Sequence, residues 1–362
     1  MGVKQLSDKW QEKSTSDDDE LRQLLESRKT QIKVVGCGGA GNNTISRLSQ
    51  IGIQGAETIA VNTDAQDLLY TDADRKVLIG RELTAGLGAG ADPNIGMESA
   101  KESKDEIKRA LQGADMVFLT CGLGGGTGTG SIPVVADVAK KLGALTIAIV
   151  TLPFTMEGKV RMSNAKIGLE NLEGNVDTLI VIPNDKLLEI VPDVAISTAF
   201  KVADEILVNA VKGISELVTK PGLVNLDFAD VRAVMGQGGM ALIGVGESNT
   251  DNRAFESIEK AINNPLISAD ISDASGALVN VVGGPDITIR EAQQICEMVS
   301  SKLSEDAKII WGAQVDKSLG DSVRTMLVVT GVKSPQIFGP EKKWSKENKK
   351  NIDEFLGVEF IE

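Results

Sequence analysis

The chain has 362 residues, of which 42% are hydrophobic and 3% aromatic, and it carries a formal net charge of −13 with no histidine. That length suits two α/β domains or one large one, with a core built from Val, Ile, Leu and Ala. The acidic balance argues against a nucleic-acid or anionic-membrane surface, and the missing imidazole removes Ser-His and Cys-His nucleophiles and most zinc sites.

Residues 1–30 are polar, with STSDDDE at their centre and nothing like a signal peptide, and read as a mobile arm with a helical second half. From Ile32 strands and helices alternate. KVV leads to a helix over about 42–51, stopped by Gly52, and ETIAVN and VLIG are strands. Helical spacing covers about 95–111, DMVFLT is a strand, and a helix begins at Pro133. LTIAIVTL and DTLIVIP follow as strands, which indicates a mostly parallel, doubly wound sheet.

A long helical pattern over about 197–219 closes at Pro221-Gly222. MALIGVGES, a helix at 255–262, ALVNVVGG, a helix at 289–303, KIIWGAQV and TMLVVTGV form a second α/β unit. Residues 333–350 are a lysine-rich linker, and IDEFLGVEFIE regains apolar residues. The expected division is therefore an arm (1–30), a first domain (31–197), a connecting helix (198–220), a smaller α/β domain (221–332) and a linker with tail (333–362). Cys37, Cys121 and Cys296 are far apart and odd in number, which suits a reducing compartment, and Cys37 and Cys121, each where a strand meets a glycine loop, read as small apolar fillers. The longest apolar runs are too short to span a bilayer, so a cytoplasmic protein without membrane insertion is expected.

Two glycine-rich turns carry the chemistry. In VVGCGGAGNN, Gly36-x-Gly38-x-x-Gly41 follows a strand and opens a helix, where backbone N–H groups can approach a phosphate. Asp64, downstream after TIAVNT, is the acid an NAD ribose would need. At this loop NAD, another nucleotide and a purely structural turn all remain open. The second turn, GLGGGTGTGS at 122–131, directly follows DMVFLTC. Two anion cradles on neighbouring strands suit a triphosphate better than one pyrophosphate, and a glycine-rich loop between ordered elements is entropically costly without a ligand. No GxxxxGK[ST] occurs, which excludes a P-loop NTPase.

GGGTGTG closely resembles the signature of the FtsZ/tubulin GTPase family. GCGGAGNN, NTDAQ, GLGAGADP, PFTMEGKVRM, IPNDKL and NLDFAD appear in the order of that family, archaeal FtsZ in particular, across about 32–332. The resemblance implies a Rossmann-like GTP-binding domain joined by a long central helix to a smaller α/β domain. It implies that Gly38, Gly39, Ala40, Gly41, Asn42 and Asn43, with Gly124, Gly125, Gly126, Thr127, Gly128, Thr129 and Gly130, surround the phosphates of GTP or GDP. Asn62, Asp64, Ala65, Ala89 and Gly90 would complete the rim. Glu157 would take a ribose hydroxyl, with Arg161 and Asn184 near the nucleotide. Mg²⁺ would be held mainly by phosphates and water.

Residue chemistry adds to this. Glu157 and Arg161 are four apart and would share a helix face, where a surface ion pair is the simplest reading. Phe200 and Asp204, also four apart, offer a stacking ring and a carboxylate that matches the two donors of guanine's Watson–Crick edge. A core phenylalanine and a solvated aspartate would have the same spacing. Asn225, Asp227 and Asp230 in NLDFAD are implied to be catalytic, although Asn225 or Asp227 could also cap the next helix.

A helix over about 197–219 is roughly 33 Å long. Phe200 and Asp204 sit at its start and Asp227 and Asp230 past its end, so one subunit does not readily bring both to one nucleotide. A head-to-tail neighbour does, and a heterologous contact that does not close generates a filament. The family's self-assembly into a midcell division ring, with hydrolysis at the subunit interface, agrees with this; a paralogue for cell shape or DNA segregation would share the fold. Ile352, Phe355, Leu356, Val358, Phe360 and Ile361 resemble a docking tail for a membrane-tethering adaptor, without the proline of the usual bacterial motif. A terminal segment packed on its own body fits the same residues.

Overall fold

The computed structural model describes residues 30–190, 196–220, 222–224, 226–236, 239–267 and 269–332, with the side chains of 190, 196 and 197 also left aside. The expected N-terminal arm, Asn225, and the linker and tail lie outside the described residues. In chain order the first half runs β1 (Ile32–Cys37), α1 (Gly38–Ile51), β2 (Ala56–Asn62), α2 (Ala65–Tyr70), β3 (Arg75–Leu78), α3 (Arg81–Thr84), α4 (Pro93–Glu102), α5 (Lys104–Leu111) and β4 (Met116–Gly122). Then come α6 (Thr127–Lys141), β5 (Leu145–Leu152), α7 (Lys159–Glu173), β6 (Thr178–Pro183) and α8 (Asn184–Ile190). The central helix is α9 (Ile196–Thr219). Beyond it lie α10 (Phe228–Met235), β7 (Met240–Ser248), α11 (Arg253–Ile262), β8 (Gly276–Gly283), α12 (Ile289–Lys302), β9 (Lys308–Val315) and β10 (Val323–Thr330).

One ten-stranded sheet runs through both halves in the order β3-β2-β1-β4-β5-β6-β7-β10-β8-β9. From β3 to β6 every pairing is parallel. The join is short: β6 meets β7 through the pairs Leu179↔Met240 and Ile180↔Ala241. Strand β10 is antiparallel to β7 and β8, and β9 is parallel to β8. Successive residues of a strand point to opposite faces, which sorts the core into layers. Val35, Leu119 and Val150 pack under α4 to α7, whereas Val34, Phe118 and Ile149 face α9. That second layer continues into Ala241, Ile243, Leu278 and Val328, so Leu207, Val211 and Ile214 of α9 are buried between the two halves. A third layer packs β7, β8 and β10 against α11 and α12.

Three local expectations need correction. The helix expected over 95–111 is two helices, α4 and α5, broken at Ser103, whose Oγ accepts the Gly80 N–H at 3.0 Å. The helix expected from 42 begins at Gly38. The helix expected to open at Pro133 begins at Thr127 and encloses the proline. Much of the supposed second loop is therefore helical. Gly130 allows this, because any side chain there would meet the Pro93 carbonyl and the Met97 amide of α4.

Candidate nucleotide site

The strand order reverses between β1 and β4, and at their carboxyl ends lies a cleft of about 360 Å³. It is lined from one side by Gly38, Gly39, Ala40 and Asn43, and from another by Gly125, Gly126, Thr127 and Gly128. Neither helix start has a side-chain cap: Cys37 precedes α1 and Gly126 precedes α6 without such a bond. The first N–H groups of both helices are left for another acceptor, and both termini present positive potential to the same space.

Two glycines make this convergence sterically feasible. Gly38 has φ +69°, and a Cβ on it would lie 2.6 Å from the Gly128 nitrogen. A Cβ on Gly128 would lie 2.9 Å from the Cys37 carbonyl. Each turn is thus the backing of the other. Cys37 itself is buried, which pushes its thiol up to about 12, and burial likewise raises Cys121. Both cysteines are inert fillers, as expected.

Several expected phosphate residues lie behind the cleft surface, outside its lining. Gly41 permits close contact with the Thr120 carbonyl, and Gly130 with α4. Thr129 Oγ1 accepts the Gly124 N–H at 2.8 Å, tying the turn from beneath, and Gly124 packs on the Arg161 carbonyl. Asn42 is buried, with its Oδ1 lacking a protein partner.

The rim residues Asn62, Asp64, Ala65, Ala89 and Gly90 also stand outside the lining and shape the loops around it. Asp64 caps α2, accepting from the Gln66 and Asp67 amides at 2.9 and 3.0 Å. Ala65 donates its N–H to the Gly86 carbonyl, and Ala89 is buried beside Gly126. Thr63 and Thr127 share a 2.6 Å hydroxyl contact that links this rim to the second turn. Asp67, which sequence reasoning missed, receives Asn62 Nδ2 at 2.6 Å and Asn42 Nδ2 at 3.4 Å. Only folding brings those three residues together; their sequence signal was weak.

The far wall carries Glu157, Arg161, Asn184, Phe200 and Asp204, all on the lining. Glu157 and Arg161 do not share one helix as expected: Glu157 ends a 3-10 turn, Thr155–Glu157, and Arg161 lies in α7 past Gly158. They pair nonetheless at 2.6 Å, while Glu157 Oε1 also accepts the Phe154 N–H at 2.8 Å. Asn184 is buried, and its Oδ1 has no protein partner. Phe200 is 42% exposed, and its ring stands edge-to-face on Phe154 with centroids 5.3 Å apart.

Asp204 is half-buried one turn further along α9. Burial raises its carboxyl to about 6, opposed by the Arg47 guanidinium and by Thr44, whose Oγ1 donates to it at 3.5 Å. Ala203 and Leu207 fill the same helix face, and Thr151 and Pro153 the end of β5. These four were not singled out in the sequence, although the i+3 and i+4 spacing about Phe200 and Asp204 could have identified the first two.

Asp227 and Asp230 do not line this cleft. Both are exposed beyond the far end of α9, whose 24 residues make it about 36 Å long. Asp227 Oδ1 accepts the Asp230 amide at 2.8 Å, so the capping role is real. Among the described residues no group of three or more His, Cys, Asp or Glu could hold a metal ion, and no helix is long and apolar enough to cross a membrane.

Comparison with known proteins agrees with this geometry. Residues 31–192 match the model of the Tubulin/FtsZ family, GTPase domain, and residues 239–333 that of the FtsZ family, C-terminal domain. The chain is 62% identical over 328 residues to cell division protein FtsZ 1 of Thermococcus kodakarensis, covering 91% of this chain and 88% of the relative. It is 60% identical over 318 residues to cell division protein FtsZ 1 of Methanocaldococcus jannaschii, covering 88% and 87%. The solved structure of an empty FtsZ dimer from M. jannaschii superposes with a TM-score of 0.86 at 58% identity, covering 92% of this chain and 98% of that one. CetZ1 from Haloferax volcanii shares the fold, with a TM-score of 0.75 at 22% identity. A doubly wound half bearing two glycine turns, a long central helix and a second α/β half identify the chain as a member of the Tubulin/FtsZ family, of the archaeal FtsZ type and with its GTPase domain.

Proposed function

We propose that the chain binds and hydrolyses GTP while assembling head-to-tail into filaments that form a cell-division ring. One observation carries this reading. Two uncapped helix starts face a single cleft with a ring and a carboxylate opposite, while the acidic residues lie past the opposite end of α9, a helix about 36 Å long. In this reading Gly38, Gly39, Ala40 and Asn43, with Gly125 to Gly128, hold the phosphates through backbone N–H groups, and Gly41 and Asn42 support the first turn from behind. Gly124, Thr129 and Gly130 keep the second turn in shape, and Asn62, Asp64, Ala65, Ala89 and Gly90 border the phosphates as a supporting rim. Asp204 accepts the ring N–H and exocyclic amine of guanine, Phe200 lies against the base, Asn184 Oδ1 supplies a further acceptor, and Glu157 receives a ribose hydroxyl.

Asn225, Asp227 and Asp230 act on the nucleotide of the adjoining subunit. Asp227 spends one carboxylate oxygen on its cap and keeps the other to orient the attacking water. Mg²⁺, held mainly by phosphate oxygens and water, would neutralise charge on the phosphates. Polymerisation completes the active site, and GTP completes the interface.

The same reading divides the chain into a GTP-binding domain (31–197), a central helix (198–220) and a domain opening with the acidic loop (221–332). It sets the protein in the cytoplasm at midcell, with the apolar residues of 352–361 docking a membrane-tethering adaptor. GTPase rate measured against protein concentration, with light scattering in parallel, tests the core of it. Specific activity rises above a threshold concentration at which scattering appears, and Asp227→Ala retains GTP binding and filaments without turnover. Turnover that is independent of concentration would sink the account.

A further inference from the structure

The acidic segment between α9 and α10 is not a free loop. Leu223 and Val224 donate their N–H groups to the Ala313 carbonyl at 2.8 and 3.3 Å, and the Ala313 N–H returns a bond to the Val224 carbonyl at 3.3 Å. This antiparallel bridge attaches the segment to β9, the outermost strand of the sheet. Gly222 makes the approach feasible, because a Cβ there would lie 2.5 Å from the Ala313 carbonyl. Gly312 does the same on the strand, where a Cβ would lie 2.6 Å from Leu217 Cδ2, 3.4 Å from the Val224 carbonyl and 3.7 Å from Leu226 Cδ1.

The next residue of β9, Gln314, is only 8% exposed. Its Nε2 donates at 3.0 Å to the Glu216 carbonyl in the last turn of α9, which also accepts the Lys220 N–H at 2.9 Å. Glu216 in turn holds the Lys220 ammonium at 2.7 Å. Strand β9 therefore grips the acidic segment at its bridge and the helix end that delivers it. Asp227 follows within three residues of Val224 and starts α10.

We propose that Gln314 is a positioning residue for hydrolysis: through the Glu216 carbonyl it sets where Asp227 and Asp230 stand when the next subunit's nucleotide meets them. The assignment rests on the interface reading of those acids given above. Gln314 is not part of the cleft lining, and its side chain lies at the opposite end of α9 from Phe200 and Asp204. Its loss should therefore separate turnover from binding. A small displacement of a catalytic group costs a large factor in rate.

The test uses the full chain with Gln314→Met, which keeps the side chain's length and removes its donor, and Gly312→Ala, which pushes on Leu217 in the last turn of α9 from the same strand. Measured are GTP affinity below the assembly threshold, the assembled fraction by sedimentation, kcat per assembled subunit and the urea unfolding midpoint. The expected result is kcat lower by roughly tenfold or more, with nucleotide affinity and assembled fraction near wild type. Wild-type kcat in Gln314→Met overturns the proposal, as does a fall in kcat only in step with affinity or unfolding midpoint. Asp227→Ala is run beside them. If it is inactive while Gln314→Met is normal, only the positioning role fails; if Asp227→Ala keeps full turnover, the interface reading itself fails.

Discussion

On the proposed reading, guanine recognition by Asp204 should weaken on mild acidification, because burial has already moved that carboxyl to about 6. Roughly 3% of the group is protonated at pH 7.5 and roughly 90% at pH 5. A protonated carboxyl cannot accept both donors of the guanine edge, so apparent affinity falls roughly tenfold over that interval. The sign for folding is opposite. A carboxyl raised in the folded state stabilises the unliganded protein below the ordinary aspartate range, and this contribution is lost as pH rises through about 6. Bound nucleotide favours the ionised form, and so its binding near pH 5 to 6 releases a proton. Titration of a fluorescent guanine nucleotide across pH, with calorimetry in two buffers of different ionisation enthalpy, measures both effects. Asp204→Asn should bind guanine nucleotides about tenfold or more weakly at pH 7.5, lose the acid limb, and gain affinity for a xanthine nucleotide, whose C2 carbonyl accepts the new amide N–H. Acid sensitivity that survives Asp204→Asn unchanged would refute the reasoning.

Gly38→Ala should cost about 1–2 kcal/mol from its left-handed backbone alone, and more from the Gly128 nitrogen, read as a loss of at least tenfold in nucleotide affinity. Unchanged affinity would mean that the two turns are not held in contact. Phe200→Leu removes the ring that Phe154 supports and should weaken nucleotide binding by about 1 kcal/mol, while unfolding in urea, set elsewhere, stays near wild type. Arg253 bonds Glu291 at 2.7 Å and Asp286 at 2.9 Å with its own side chain only 11% exposed. Arg253→Ala leaves the Glu291 carboxylate only its Thr288 hydrogen bonds and should lower stability by about 2 kcal/mol in urea unfolding without altering nucleotide affinity; a change under about 0.5 kcal/mol would contradict it.

Alternation of strands and helices made the doubly wound half legible, and the glycine turns at two strand ends located the cleft. The four-residue spacing of Phe200 and Asp204 correctly put both on one face of the central helix. What sequence could not supply came from contacts distant along the chain. Thr127 to Gly130 reads as loop, since glycine and threonine are poor helix formers, yet α4 packs so closely on Gly130 that the helix begins there. Ser103 interrupts a continuous helical pattern at the point where its hydroxyl accepts from Gly80, a residue 23 positions away. Asp67 gains meaning only when Asn62 and Asn42, on separate elements, both reach it. Equally, β10 between β7 and β8 is a matter of pairing partner, on which hydrophobic pattern is silent.

An open sheet ends in two rows of unpaired backbone groups, and such rows are templates for irreversible stacking. Here one edge, β3, is four residues long and starts with Arg75 and Lys76. At the other edge, the bridge from Val224 occupies Ala313, midway along β9. In the head-to-tail assembly proposed above this guard has a particular use. With both margins blunted, copies have little opportunity to associate by strand addition, the route that leads to amyloid, and an assembly made through other surfaces can still come apart.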